Sequence, residues 1–163
     1  MLILVSSGNL IMLFLGWELI GLTSFLLINF WVARIGTLKA AFKAFSFNKV
    51  SDFFLLMGIV MLYNVTYDLD ILSINSQISV YNNYTIQILN THVSLIELVS
   101  LLFLSCAFIK SAQFGPHIWL PDSMEAPVPA SSLIHSATLV SAGIYLILRL
   151  YPIFEASHYA FFI

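Results

Sequence analysis

Glu18, Asp52, Lys110 and His135 are the residues best equipped for chemistry, and each stands inside a long apolar run. A carboxylate beside an ammonium favours the charged form of both groups, whereas desolvation favours the neutral form of both. A lysine balanced between these effects binds or releases a proton when its partner moves. Histidine titrates near neutrality and carries two ring nitrogens, so His135 suits a relay through waters, and His117 extends the series. A charged group at the centre of a spanning helix costs about 2.5–3.5 kcal/mol on insertion scales, and such groups face a bundle interior and mark ion or proton paths. The set therefore reads as a candidate proton path. Three members also have a structural alternative: Lys110 as a static counter-ion, His135 as an interhelical hydrogen bonder, Asp52 as a local pair with Lys49.

Other chemistries find little to work with. No nucleophile elbow, zinc spacing or phosphate loop occurs, and no quinone, flavin or haem motif stands out, so no catalytic or metal-ligating residue is assigned. The single cysteine, Cys106, sits in an apolar run and reads as a small core residue. The net charge of −2 gives no reason to expect a nucleic-acid partner.

The elements that must position these residues are membrane spans. The chain is 60% hydrophobic and 9% charged, against roughly 25% charged in a soluble domain, so its outer surface suits lipid rather than water. A span needs about 20 mostly apolar residues. Four segments qualify, at 10–31, 41–63, 95–114 and 128–151, which predicts an all-α integral membrane protein forming one membrane domain over 1–163. Arg34, Lys39, Lys43 and Lys49 gather around the first connection, while the polar loop 64–91 holds Asp68 and Asp70 and no Lys or Arg. The positive-inside rule then puts the first connection in the cytoplasm or matrix and the loop on the opposite side. Alternating residues between Ile71 and Leu89 predict a hairpin in that loop with Asn82-Asn83 at its turn. Glu97 suits the N-terminus of the third span, and Arg149 and Glu155 suit the interface.

The third span should break near Gly115-Pro116 to Pro121, with an irregular segment over 115–126. Each proline removes a backbone donor and clashes one turn back. Irregular backbone at membrane depth survives only inside protein or beside water, so a broken helix lining a polar cavity is expected. An ordinary interfacial turn is the competing reading.

These blocks together carry a resemblance. Ser6-Ser7-Gly8-Asn9, Gly16-Trp17-Glu18 and Gly21-Leu22-Thr23-Ser24-Phe25-Leu26-Leu27-Ile28 resemble the glutamate-bearing helix of the NADH dehydrogenase subunit 5 family, antiporter-like membrane subunits of respiratory complex I. Lys110-Ser111-Ala112-Gln113, the run from His117 to Pro127, and Ser131-Ser132-Leu133-Ile134-His135-Ser136-Ala137-Thr138 are similar to the family's broken helix and the span after it. The resemblance implies that Glu18 is the buried glutamate of a proton channel and Lys110 the lysine with which it pairs. Asp52 would be the acid near that pair, in a motif ending Gly-Asp-Phe where this chain has Ser51. His117 and His135 would belong to the hydrated axis.

The resemblance also implies half of an inverted-repeat bundle: most of the first repeat, without the second-repeat lysine or the lateral helix. The chain is then expected to be a fragment, from a split gene or a truncation, needing a separate chain for the second repeat among its complex I membrane-arm partners. By the same resemblance it belongs to an NADH:ubiquinone reductase, with NADH, FMN, iron–sulfur clusters and ubiquinone elsewhere in the complex and no cofactor here. The mitochondrial inner membrane is the implied location, and 14 Phe residues fit an AT-rich coding sequence of the mitochondrial kind. A Mrp-type cation/proton antiporter subunit and a non-pumping structural membrane fragment are the competing functions.

Overall fold

A computed structural model describes residues 1–81, 84–88, 91–113, 115–157 and 160. A short helix, α1 (Leu2–Val5), leads into α2 (Leu10–Ile28), α3 (Ile35–Thr66) and α4 (Ile71–Tyr81). A hairpin of β1 (Thr85–Ile88) and β2 (Thr91–Ser94) precedes α5 (Leu95–Lys110). The chain then breaks into a 3-10 turn (Pro116–Ile118), α6 (Trp119–Asp122) and a second 3-10 turn (Ser123–Glu125). A last helical run contains α7 (Val128–Ser132), a π-helical stretch (Leu133–Thr138) and α8 (Leu139–Arg149), and α9 (Tyr151–Ala156) follows it.

Asn9 caps α2 by accepting from the Ile11 amide at 3.0 Å. The buried positions of α2 fall at Leu10, Leu13, Trp17, Ile20, Ser24 and Ile28, one face of a 3.6-residue helix. Its other face, with Ile11, Met12, Leu15, Leu19, Leu22 and Leu26, is exposed and equally apolar. A helix apolar all round suits lipid. In α3 the buried face is built from small and polar residues, among them Ala40, Ala41, Ala44, Asn48, Ser51, Asp52 and Gly58. Small residues let membrane helices approach closely. At Gly58 the approach is complete, because a Cβ there would overlap the Phe103 ring of α5. Ser51 Oγ donates to the Cys106 carbonyl at 3.1 Å across the same contact.

Several expectations need correction. The second span begins at Ile35 rather than residue 41, because Thr37 Oγ1 donates to the Arg34 and Trp31 carbonyls at 2.7 and 2.9 Å and seats the first turn. At 1.5 Å per residue the 32 residues of α3 exceed the roughly 30 Å hydrocarbon thickness. The loop after α3 is not one long hairpin. Ile71, Ile74 and Ile78 are spaced as one helical face and are buried, so 71–81 is helix; the hairpin pairs Thr85 with Ser94 instead. The expected turn at Asn82-Asn83 lies outside the described residues. The third helix ends at Lys110, before the predicted break. Ala112 turns left-handed at φ 52° and Gly115 takes φ 108°, a conformation that glycine adopts without strain. Among the described residues, three helical runs are long and apolar enough to cross a membrane: Leu10–Ile28, Ile35–Thr66 and Val128–Arg149. The 16-residue α5 is shorter than a span needs.

Candidate functional site

The site sits where α2, α3 and α5 meet. Lys110 is the last residue of α5, where the partial negative charge of the helix C-terminus favours a cation. The break directly after it frees carbonyls, and Trp119 Nε1 satisfies one of them by donating to the Ile109 carbonyl at 3.1 Å. The Lys110 side chain is fully buried. Its Nζ lies 3.2 Å from Asp52 Oδ1, 3.4 Å from the Trp17 carbonyl and 5.0 Å from the centroid of the Trp17 ring. Asp52 is buried as well.

The resemblance pairs Glu18 with Lys110, and the structure joins the two through a longer arrangement of side chains. Glu18 Oε2 is paired with Lys49 Nζ. Lys49 Nζ also stands 3.7 Å from Asp52 Oδ2, and Asp52 then reaches Lys110. The order Glu18, Lys49, Asp52, Lys110 alternates acid and base across the three helices. Lys49, which the sequence groups with the connection lysines, lies near the midpoint of α3. The reason is periodicity: Asp52 follows three residues later, so both side chains occupy one side of the helix. The two ends of the series differ in burial. Side chains of Glu18 and Lys49 keep 32% and 46% of their surface exposed, whereas Lys110 and Asp52 keep 0% and 5%.

His135 lies in the π-helical stretch, an irregularity frequent at functional sites. It is half-buried, with Nε2 3.2 Å from Ser123 Oγ and Nδ1 buried without a partner. His117, in the first 3-10 turn, is exposed. A groove of about 250 Å³ opens between α3 and the broken segment, lined by Gly36, Lys39, Ala40, Lys43, Asp122 and Glu125. Lys43 Nζ donates to Asp122 Oδ2 at 2.5 Å there. Lys39 and Lys43, expected to act only on topology, therefore also line a polar groove. Arg149 is not simply interfacial: it is half-buried and donates from Nη2 to the Ser7 carbonyl at 3.2 Å. Glu97 occupies the first turn of α5 as expected, with its amide donating to the Ser94 cap at 3.4 Å. Among the described residues, no group of His, Cys, Asp and Glu is placed to hold a metal.

Residues 7–163 match the family described as NADH:quinone oxidoreductase/Mrp antiporter, transmembrane. The NADH-ubiquinone oxidoreductase chain 5 of Paramecium tetraurelia is 55% identical over 98% of this chain and 28% of its own length. That of Chondrus crispus is 45% identical over 100% of this chain and 24% of its own. Among solved structures, the Mrp complex of Dietzia sp. DQ12-45-1b superposes with a TM-score of 0.81 at 30% identity, covering 91% of this chain and 15% of that one. The chain thus spans about a quarter of the length of these relatives. An acid–base series across three apolar helices, together with a match over nearly all 163 residues, means that this chain belongs to the NADH:quinone oxidoreductase/Mrp antiporter membrane family.

Proposed function

We propose that this chain is a membrane-arm component of a proton-translocating NADH:ubiquinone oxidoreductase, contributing one half of a proton path. The observation that carries the reading is the buried Lys110 held by Asp52 at the end of a broken helix, with Glu18 and Lys49 continuing the series. A buried ammonium depends on its counter-ion, because the low-dielectric interior otherwise disfavours charge. Movement of Asp52 toward Lys49 would leave Lys110 poised to release a proton, and its return would favour uptake. Lysine suits this role because its charge responds to its surroundings, whereas arginine stays protonated. His135 and His117 supply relay groups towards the broken segment.

In this reading four spans cross the mitochondrial inner membrane, with α5 completed by the broken segment. Arg34, Lys39 and Lys43 mark the matrix side. Membrane-arm subunits and lipids surround the chain, and the second inverted repeat, supplied by a separate chain, completes the path. NADH, FMN, iron–sulfur clusters and ubiquinone belong to other subunits, so this chain moves protons without handling electrons.

Lys110→Ala is expected to lower the number of protons pumped per electron in assembled complex, and Lys110→Arg to impair it too. The measurement is proton translocation against NADH:quinone activity in membranes whose complex content is verified on native gels. Normal pumping by assembled Lys110→Ala complex would leave Lys110 structural. A Mrp-type antiporter subunit is the second reading, favoured by the superposition on a Mrp complex. Mass spectrometry of the native particle separates the two, since flavin and iron–sulfur subunits accompany only the first.

A further inference from the structure

The groove between α3 and the broken segment holds four charged side chains that the acid–base series does not use. Lys39 and Lys43 come from α3, and Asp122 and Glu125 from the opposite wall. One pair closes within the chain, since Lys43 Nζ donates to Asp122 Oδ2 at 2.5 Å. Glu125 lies directly on the backbone of α3: a Cβ on Gly36 would come within 2.8 Å of its Oε2. Lys39 follows Gly36 by three residues, so it leaves nearly the same face roughly 4.5 Å further along the helix. Both side chains are exposed, and among the described residues neither forms an ion pair. An ammonium and a carboxylate thus line one cavity of about 250 Å³ without meeting.

The length of α3 places this cavity in the membrane. Its 32 residues make a helix about 48 Å long, about 18 Å more than the hydrocarbon layer. The excess belongs to its first half, because Lys39, Lys43 and Lys49 lie there, whereas between residues 50 and 63 Asp52 is the one charged residue. The groove therefore opens among lipid headgroups. Its surroundings are apolar. Ile35, Leu38 and Phe42 make an exposed stripe on α3 beside the groove, and Met124 and Val128, on either side of Glu125 in the chain, are exposed as well. A charged recess next to an apolar stripe suits an amphiphile, with its head in the recess and its tails on the stripe. The two free charges then select the head. A phosphate alone would gain Lys39 and be repelled by Glu125. A head with both a phosphate and a primary ammonium satisfies both residues, because the Lys39 ammonium donates to phosphate oxygens and the lipid ammonium donates to the carboxylate. A quaternary choline head has no N–H to donate.

We propose that this groove binds the head of one phosphatidylethanolamine, with Lys39 on its phosphate and Glu125 on its amine. The lipid joins α3 to the broken segment beside the Lys43–Asp122 pair. The inference requires that α3 crosses the membrane and does not depend on the proton path.

The test uses the native assembly that contains this chain, reconstituted into vesicles of equal parts phosphatidylethanolamine, phosphatidylcholine and cardiolipin. After re-extraction in mild detergent, native mass spectrometry counts the lipids retained. Wild type should keep one phosphatidylethanolamine more than Lys39→Gln, and Lys39→Arg, which still holds a phosphate, should keep it too. Glu125→Gln removes both the partner of the amine and the repulsion of a bare phosphate, so it should exchange that lipid for a cardiolipin. High-resolution density of the wild type should show the head between Lys39 and Glu125. Equal retention of phosphatidylethanolamine by wild type, Lys39→Gln and Glu125→Gln overturns the proposal. So does wild-type density in which the groove holds cardiolipin, phosphatidylcholine or a side chain of a neighbouring subunit, or is closed by a direct Lys39–Glu125 pair. Should a variant fail to assemble, the wild-type density decides alone.

Discussion

Asp52 and Lys110 stabilise one another under conditions in which neither tolerates being alone. Both are withdrawn from water, and removing one partner of such a pair costs about 3–5 kcal/mol, because the remaining charge is left uncompensated. Glu18 and Lys49 retain a third to a half of their side-chain surface, and an ion pair that water reaches contributes about 0–1 kcal/mol. The two carboxylates therefore separate by experiment. Asp52→Asn should lower the thermal stability of the complex far more than Glu18→Gln, although both should reduce pumping. Equal stability loss, followed by thermal unfolding of purified complex, would contradict the burial contrast. Glu18, Asp52 and Lys110 were legible as a set because ionisable groups in apolar runs are costly. Which carboxylate meets Lys110 was not, since it depends on how α3 is rotated. One signal was present: Asp52 shares a helical face with Ala44, Asn48 and Ser51, whose small and polar side chains mark the side packed against other helices.

The contact between α3 and α5 carries Asp52 and Lys110 towards each other, and Gly58 sets how close the two helices come. A side chain there must displace the Phe103 ring, which is itself fully buried. Overpacking of this kind costs typically about 1–3 kcal/mol and pushes helices apart. Gly58→Val should therefore reduce the amount of assembled complex on native gels, and Phe103→Leu in the same chain should recover part of it. No recovery would mean that Gly58 serves something other than this contact. The four apolar segments were legible from composition and length, but their ends were set by local chemistry. The start of α3 depends on Thr37, and the end of α5 on a left-handed Ala112 that no propensity would have selected. The helix at 71–81 was legible in the spacing of Ile71, Ile74 and Ile78, which fits a helical face and not a strand, and their burial bears it out.

At the scale of the molecule, the two ends of the bundle are distinguished by contacts as well as by charge. The Leu10 amide donates to the Leu69 carbonyl, and the Ile71 amide to the Gly8 carbonyl, both at 3.0 Å. The start of α2 and the segment after α3 therefore lie together at one end. The connection between Ile28 and Ile35 must lie at the other, beside Arg34, Lys39 and Lys43. If α2 and α3 each cross the membrane, Val32 and Leu72 face opposite compartments. Both are well exposed, at 75% and 74%, and the one native cysteine, Cys106, is fully buried and will stay silent to a thiol reagent. Val32→Cys and Leu72→Cys, made separately, should label with a membrane-impermeant maleimide from opposite sides of sealed vesicles. In vesicles whose outer face is the side from which spans are inserted, Val32→Cys should label at once and Leu72→Cys only after permeabilisation, because basic residues are retained on that side. The reverse order would keep the two-span geometry while inverting the orientation read from the lysines. Labelling of both from one side would contradict the crossing itself, and with it the placement of Asp52 and Lys110 at membrane depth on which the proposed proton path depends.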